Sequence, residues 1–319
     1  MILQAQTVSS IVLDQLNCAA GSGSVHSVFD RTVNILCGNV HPDAAWVSLH
    51  APGVPMHPHA VLLGPGEDWR DWRDGEEWKD GEAGRAAKGL LGARVGERVD
   101  LAATEIVLGA GRVTVGLGGA AVWSPWLQPF GGASESPAGS RVDTIMRSMG
   151  RSEITSPFLR RAGFTGSVEE ALTRKCLAIK KDLRRAWRLG DMESAARAMM
   201  SAVGLGSGLT PSGDDFLVGF LGAAHFFASG DDGRAEAARS LPVGRSMTTA
   251  PAFFMLKGAL AGFLPDPLSC LLRALAREDE RGVGRAVGRL TELGATSGQD
   301  MLAGVICYLE ARESTGEDK

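Results

Sequence analysis

The sequence predicts an α+β protein, with a β-rich N-terminal domain followed by an all-helical C-terminal domain. Short apolar runs, rich in β-branched residues and broken by Gly and Pro, fill residues 1–130. A segment rich in Gly, Ser and Pro follows at 131–141, and we assign it as a linker. Beyond it, at 142–319, apolar residues recur at helical spacing, which predicts a helical domain.

The predicted strands of the first domain come in order along the chain. "AAWVSLHA" (44–51) and "HAVLLG" (59–64) are short apolar runs, and "RVDLAATEIVLGAGRVTVGLGGAAVWSP" (98–125) predicts a meander turned by glycines. Between them, the stretch 69–78 places three tryptophans among dense charge. This stretch is either an aromatic lid or a solvent-exposed loop whose tryptophans pack against the sheet. Runs of charged residues are usually solvated, which favours the second interpretation.

The helical domain begins with a clear amphipathic helix at 167–187. Ser167 with Glu170 three residues later fits a capping box. One buried stripe is predicted at three- and four-residue steps, formed by Leu172, Cys176, Ile179, Leu183 and Trp187. Further helices are predicted at 191–203, 211–229, 247–263, 266–277, 279–292 and 298–313. The apolar stretch 250–264 contains Lys257 and is too short for a membrane span, so we expect a core helix.

Composition narrows the class of protein. A net charge of −4 argues against a nucleic-acid partner. The five cysteines are odd in number, scattered and never in a C-x-x-C pair, which is typical of reduced thiols in a cytoplasmic protein. The N-terminus lacks the features of an export signal, and no membrane association is expected.

The stretch "GLGSGLTPSGDDFLVG" (204–219) places alternating glycines directly before an apolar helix. Thr210 is suited to the N-cap and Pro211 to the first helical position. The glycines allow backbone N–H groups to turn toward one anion, as in a phosphate nest, although the P-loop lysine is absent. Asp214 and Asp215 either complement the helix dipole or contact a ligand.

A second stretch repeats this pattern later in the chain. "SGDDFLVG" (212–219) and "SGQDMLAG" (297–304) match at five of eight positions, and each follows a turn that contains Gly and Thr. The repetition predicts two related halves whose helix N-termini face one pocket. The alternative is a packing device in which Gly219 and Gly304 let helices approach closely.

If the N-termini converge, the pocket combines N–H and hydroxyl donors with carboxylates. We assign Asp215, Asp300 and Asp214 as candidate catalytic residues. The candidate substrate-binding residues are Gly206, Ser207, Gly208, Thr210, Ser212, Gly213, Ser297 and Gly298. A carbamoyl or amide group suits this set, because its NH₂ donates to carboxylates and its carbonyl oxygen accepts from N–H groups. A phosphate bridged by Mg²⁺ is the competing ligand, and no other cofactor or metal is indicated.

Other candidates carry weaker signals. The histidines His26, His41, His50, His57 and His59 lie in the β-rich part, where the prolines of "HAPGVPMHPH" (50–59) disfavour a zinc site. His225 fits a packed core histidine better than a base. A cationic clamp for an anion would come from Arg160, Arg161, Arg245 or Lys257, and the sequence selects none of them.

Together with "VHSVFDRTVNI" (25–35), "AAVWSP" (120–125) and "GATSGQDMLAG" (294–304), the glycine stretch resembles the AllH family over most of the chain. That family includes a subunit of oxamate carbamoyltransferase from anaerobic allantoin breakdown. The resemblance implies carbamoyl transfer from oxalurate to phosphate, with companion subunits, one of them related to acyl-CoA synthetases. By motif match, the resemblance assigns a site role to these residues: Gly206, Gly208, Thr210, Ser212, Gly213, Asp214, Asp215, Ser297, Gly298 and Asp300. The stretch 69–78, Ala295 and Gln299 depart from the commoner pattern, which leaves the substrate open.

Two functions follow from these observations. The first is a carbamoyltransferase, or a subunit of one, that positions a small ureido acid and phosphate and needs no protein nucleophile. In this function, Asp215 would hold the carbamoyl NH₂, and Asp300 would do the same or accept a proton. The second is a non-catalytic subunit that binds a small anion or ureido compound, or that serves as a scaffold. The absence of a recognisable nucleophile or base, and a basic helix face at 180–185, favour the second.

Overall fold

The structure is a computed structural model that describes residues 1–18, 21–38, 46–64, 90–130, 138–150, 153–160, 167–227 and 233–312. It confirms the predicted fold class, a β-rich N-terminal region followed by a helical C-terminal region. The chain divides into two compact units, Met1–Pro125 and Trp126–Lys319.

The first unit is a single sheet that closes on itself. Its strands are β1 (Ile2–Ser9), β2 (Gly21–Val28), β3 (Thr32–Gly38), β4 (Trp46–His50), β5 (Ala60–Leu63), β6 (Arg98–Leu101), β7 (Glu105–Leu108), β8 (Val113–Gly116) and β9 (Ala121–Trp123). The hydrogen-bonded order is β5-β4-β3-β2-β6-β7-β8-β1, and β1 also pairs with β5, which closes the ring. β9 pairs with the second half of β1. The predicted meander is confirmed by the consecutive antiparallel pairs β6–β7 and β7–β8.

Alternation along these strands fills the interior of the closed sheet. Val99 and Leu101 of β6 are buried, and their neighbours in the strand are exposed. β7 and β8 repeat this pattern, because successive side chains of a strand point to opposite faces. A helix that the sequence did not predict, α1 (Ser10–Cys18), follows β1 and adds Val12 and Leu16 to the core.

The second unit is helical. Its helices are α2 (Ala138–Met149), α3 (Val168–Leu189), α4 (Met192–Ala202), α5 (Ser212–Phe226), α6 (Gly233–Arg239), α7 (Ala250–Leu260), α8 (Asp266–Ala276), α9 (Glu280–Thr291) and α10 (Ser297–Arg312). The seven predicted helices are confirmed as α3–α5 and α7–α10. The predicted stripe of α3 is buried except for Leu172, which is partly buried, and the Ser167 hydroxyl caps the helix by accepting from the Glu170 N–H. No described helix is long and apolar enough to cross a membrane.

Two further helices, α2 and α6, were not predicted. α2 begins at Ala138, inside the segment predicted as a linker, whose residues 131–137 lie outside the described part of the chain. α6 follows α5 and was not predicted.

The internal duplication extends to three helices in each half, α3–α4–α5 and α8–α9–α10. A residue with a left-handed backbone follows the first helix of each half: Gly190 is the C-cap of α3, and Glu278 comes directly after Arg277, the C-cap of α8. The aspartate that follows, Asp191 or Asp279, caps the next helix by accepting a backbone N–H. In the third helices, a Cβ added at Gly213 would overlap the Ala202 carbonyl oxygen, and one at Gly298 would overlap that of Leu290. The two halves therefore fold by the same local rules.

Candidate functional site

The two duplicated helices α5 and α10 cross with their backbones in contact. A Cβ added at Gly219 would overlap the carbonyl oxygen of Met301, and one at Gly304 would overlap that of Phe216. The contacts are reciprocal, so the helices are related by an approximate twofold rotation. The packing role of both glycines, one of the alternatives from the sequence, is thus present in the structure.

This crossing brings the N-termini of both helices together. The hydroxyl oxygens of Thr210, before α5, and Ser297, the first residue of α10, lie 2.9 Å apart in a hydrogen bond. The helix α5 begins at Ser212 with Pro211 as its N-cap, so the prediction that Thr210 caps this helix was wrong by one residue. The Thr210 side chain does not cap α5 and is instead hydrogen-bonded to Ser297 of the second half.

Asp215 and Asp300 lie at this meeting point, in matching positions of the two helices, and are 1% and 0% exposed. Burial raises the pKa of Asp215 to about 8, and the charge of Asp300 adds to the rise. The hydroxyls of Ser297 and Thr210 oppose it by favouring the carboxylate. Burial also raises the pKa of Asp300, to about 6, against the hydroxyls of Ser156, Ser212 and Thr296.

Each of these aspartates has one oxygen without a partner. In the part of the chain that the structure describes, Oδ2 of Asp215 and Oδ2 of Asp300 are buried and accept no hydrogen bond. Leaving a buried carboxylate oxygen unpaired is costly, because the group has lost its water without a replacement. A bound proton, or a ligand with N–H or O–H donors, would satisfy these two unpaired oxygens.

A segment that the sequence did not indicate closes one side of the site. Ser156 is fully buried and donates its hydroxyl to Oδ1 of Asp300 at 2.5 Å. The Thr155 N–H donates to Oε1 of Gln299, whose Nε2 donates to the Glu153 carbonyl. The Thr155 hydroxyl donates to the Ala295 carbonyl. The Gln299 side chain and the Ala295 backbone carbonyl thus hold this segment in place.

Asp214 shapes the glycine loop (residues 204–210). Its Oδ1 accepts the Gly204 N–H at 3.0 Å, and its Oδ2 accepts the Thr248 hydroxyl at 2.5 Å. The neighbouring Thr249 donates its hydroxyl to the Leu209 carbonyl. Burial raises the pKa of Asp214, while these two donors oppose the rise. Thr248 and Thr249 carry no motif, and the sequence did not point to them.

The tip of the glycine loop is open to solvent and rich in unpaired donors. Ser207 and Gly208 are exposed. Within the described ranges, the backbone N–H groups of Gly206, Ser207 and Gly208 donate to no protein acceptor. Gly206 and Gly208 have φ of 118° and 98°, conformations that glycine adopts readily.

The corresponding loop of the second half is shorter. The Gly213 N–H donates to the Leu205 carbonyl and the Gly298 N–H donates to that of Leu293, so both loops close in the same way. Leu205 precedes Gly213 by eight positions and Leu293 precedes Gly298 by five, which makes the glycine loop three residues longer. We assign residues 207–209 as the extra ones; Ser207 and Gly208 are exposed, and Leu209 is half-buried.

The candidate cations are spread over the second unit. Arg160 donates to the Ile154 carbonyl and pairs with Glu169. Arg245 is exposed, with its guanidinium 5.6 Å from the centroid of the Phe254 ring, and lies three residues before Thr248. Lys257 is exposed on α7. Arg161 lies outside the described residues.

The described histidines make ring contacts or hydrogen bonds within the protein. His50 and His57 make an edge-to-face ring contact, and the His59 N–H donates to Nδ1 of His57. Over the described ranges, no three or more His, Cys, Asp and Glu side chains are grouped to hold a metal ion. His225 is buried, with Nε2 2.8 Å from the Leu127 carbonyl oxygen, as a packed core histidine would be. His41 and the stretch 69–78 lie outside the described residues.

Each of the two units contains a region that matches a known protein family. The family described as "Oxamate carbamoyltransferase subunit AllH" matches residues 202–309, which contain the glycine loop, Asp215 and Asp300. The "AllH family N-terminal domain" matches residues 4–122, a range that contains most of the described strands of the closed sheet. No solved structure matches the chain. The two matched regions cover most of the sequence, and the chain therefore belongs to the AllH family.

Proposed function

We propose that the chain is a subunit of a carbamoyltransferase and that it binds a ureido acid of the oxalurate type together with phosphate. The observation that carries the proposal is the meeting of Asp215 and Asp300, each with an unpartnered buried oxygen, beside a loop with unpaired N–H groups. The family description, an oxamate carbamoyltransferase subunit, supports the same substrate class.

The donors and acceptors of the site suit a carbamoyl group. Its NH₂ donates to carboxylate oxygens, and its carbonyl oxygen accepts from backbone N–H groups such as those of Gly206 and Gly208. A phosphate alone would be repelled by the ionised carboxylate of Asp300 at ~4 Å. Phosphate placed at the loop tip, away from the aspartates, escapes most of this repulsion.

In the proposed reaction, a phosphate oxygen attacks the ureido carbonyl carbon of oxalurate. The bond from that carbon to the inner nitrogen breaks, which gives carbamoyl phosphate, and the nitrogen takes up a proton to give oxamate. Asp215 supplies this proton, because its pKa of about 8 leaves it mostly protonated at neutral pH. Asp300, mostly ionised at pH 7, accepts from the carbamoyl NH₂.

Access to the aspartates requires a movement. Both carboxylates are buried, whereas the tip of the glycine loop is exposed. We expect the substrate to enter from the loop side and to displace residues 207–209. We assign Asp214 as a positioning residue, since both of its oxygens are engaged in holding the loop.

The test is the formation of oxamate and carbamoyl phosphate from oxalurate and phosphate, with the purified chain alone and with its companion subunits. We expect Asp215→Asn to reduce turnover by roughly 10²-fold or more, as loss of an acid–base group does. Asp191→Asn is the matched control, because asparagine also caps a helix well and this residue lies at the start of α4. Full turnover by Asp215→Asn would rule out the assigned role.

A loop deletion provides the second arm of this test. Removing residues 207–209 gives the glycine loop the length of its counterpart before α10, so we expect the protein to fold and to lose substrate binding. Unchanged binding of oxalurate or phosphate by the folded deletion variant would contradict the role of the loop tip.

The second candidate function is a non-catalytic binding or scaffolding subunit. The burial of both aspartates favours it, as do the exposed Lys181 and Arg185, which leave part of the basic face of α3 open. It predicts saturable binding of oxalurate without turnover, and an assembled enzyme that keeps its activity when it contains Asp215→Asn.

A further inference from the structure

Asp214 and Gln299 occupy the same position in the two duplicated motifs, directly before the aspartates of the candidate site. Both side chains bind a segment from elsewhere in the chain, but with different chemistry. The oxygens of Asp214 only accept, and their donors are the Gly204 N–H and the Thr248 hydroxyl. Gln299 both accepts and donates, so it can bind N–H and carbonyl groups of one backbone segment at once. The two aspartates of the site therefore have different neighbours.

Gln299 holds a short backbone segment against the start of α10. Its Oε1 lies 2.9 Å from the backbone nitrogen of Thr155 and 3.3 Å from that of Ser156, and both N–H groups donate to it. Its Nε2 donates to the Glu153 carbonyl oxygen at 2.7 Å. Three hydrogen bonds from one side chain thus fix the backbone that leads into Ser156.

The hydroxyl of Ser156 can donate in one direction only. Its oxygen accepts the Phe158 N–H at 3.2 Å, so its single proton is left for Oδ1 of Asp300, 2.5 Å away. Ser156 is fully buried, and bulk water therefore does not compete for this proton. The other oxygen of Asp300, Oδ2, accepts no hydrogen bond from the described residues. Ser156 thereby makes the two oxygens of Asp300 unlike.

We propose that Ser156 is a positioning residue of the candidate site, which occupies Oδ1 of Asp300 and leaves Oδ2 to accept the N–H donors of the ligand. The inference rests on the proposed function, in which this ligand is a ureido acid. Ser156 acts through Asp300 and does not need to contact the substrate. Gln299 contributes by fixing the segment that carries Ser156.

The same hydrogen bond favours the ionised form of Asp300. Burial raises the pKa of this carboxyl to about 6, and the Ser156 hydroxyl opposes the rise together with two further hydroxyls. Two neighbouring groups feel the charge of Asp300. Burial, and then this charge, raise the pKa of Cys176 on α3 to about 12, so the thiol stays neutral. The same two causes raise the pKa of Asp215 on α5, whose titration must therefore be followed separately.

The experiment follows the Cγ resonances of Asp215 and Asp300 against pH by NMR, in the full chain labelled with ¹³C-aspartate and without substrate. Replacing either residue by asparagine assigns its resonance. We expect Ser156→Ala to raise the pKa of Asp300 by about one pH unit or more, because a hydrogen bond to its charged form is lost. Thr155→Val is the matched control. It removes the hydrogen bond to the Ala295 carbonyl from the same segment and should leave the pKa of Asp300 unchanged.

Turnover separates this role from the proposed function. If oxamate formation requires ionised Asp300, kcat/KM should fall on the acid side of the pH profile with the pKa of Asp300. This limb should move to higher pH in Ser156→Ala by the amount that the NMR titration gives, and should stay in place in Thr155→Val. The absence of turnover in the wild type would reject the proposed function, while the titration would still decide the role of Ser156.

Two outcomes would overturn the proposal. One is an unchanged pKa of Asp300 in folded Ser156→Ala. The other is an equal rise in Thr155→Val, which would make the segment as a whole responsible, and not the Ser156 hydroxyl. If Ser156→Ala does not fold, the wild-type titration decides: Asp300 titrating below Asp215 supports the proposal, and Asp300 titrating above it contradicts a hydroxyl that favours the charged form.

Discussion

At the residue scale, Asp215 and Asp300 occupy matching positions and yet titrate differently. Ser156 donates directly to Asp300, and Ser212 and Thr296 also favour its charged form. Asp215 has two such hydroxyls, and the charge of Asp300 works against it. The carboxyl at one duplicated position therefore favours its protonated form at neutral pH and the carboxyl at the other its ionised form, because their surroundings differ.

This difference predicts a pH dependence of stability for Asp215. Its pKa is raised from 3.8 to about 8 on folding, so the folded state holds a proton that the unfolded state releases. The stabilisation is complete below about pH 4 and is lost as the pH rises through about 8. Between pH 6 and 8, Asp215 lowers the free energy of unfolding by up to about 1.4 kcal/mol per pH unit, and Asp300, with a pKa of about 6, adds to the decline only near the lower end of this range.

Urea unfolding at pH 6, 7 and 8 measures this effect. Asp215→Asn carries no titrating group and should remove most of the decline that the wild type shows in this range. Asp191→Asn serves again as the control. A wild-type slope retained in Asp215→Asn would mean that Asp215 is ionised throughout.

At the scale of secondary-structure elements, the crossing of α5 and α10 depends on two glycines. Gly219→Ala or Gly304→Ala would push a methyl group into a backbone carbonyl of the other helix. We expect each substitution to destabilise the protein by about 3 kcal/mol or more, because neither backbone can yield without separating the N-termini.

Gly288→Ala provides the matched comparison, measured by the same urea unfolding. Gly288 lies in the exposed face of α9 and has no atom near the added methyl group. Alanine should stabilise the helix there by about 0.5–1 kcal/mol. A similar effect of Gly219→Ala and Gly288→Ala would contradict the close crossing.

At the scale of the whole molecule, we expect the stabilities of the two units to change in opposite directions with pH. In the first unit, burial lowers the pKa of His50 to about 4 and that of His57 well below its ordinary value of 6.5. These rings fold in the neutral form, so the unit gains stability as the pH rises from about 4 to 6.5. The second unit loses stability as Asp215 ionises.

Hydrogen exchange measured by mass spectrometry resolves the two units in one sample. On lowering the pH from 7 to 5, we expect protection, corrected for the intrinsic exchange rate, to fall in β3–β5 and to rise in α5. The variant His50→Gln should reduce the change in the first unit alone. Parallel changes in both units would show that other groups dominate.

Much of this organisation was predictable from local patterns. The seven predicted helices have long apolar repeats and clear caps, and the repeated motif pointed to the meeting of Asp215 and Asp300. The short α6 has no sustained periodicity, and α2 starts in a segment whose Gly, Ser and Pro are typical of linkers. The closure of the sheet, and the contributions of Ser156 and Thr248, rest on contacts between distant residues that leave no local signal.

The loops before α5 and α10 differ in length, and this difference affects the orientation in which a molecule would bind. A site with exact twofold symmetry would bind a molecule equally well in either of two opposite orientations. The additional residues of the glycine loop occur on one side only, so they would remove this degeneracy and make the two ends of the site unlike. A compound with two different ends, such as a ureido acid, would then always present the same carbonyl carbon to the incoming group.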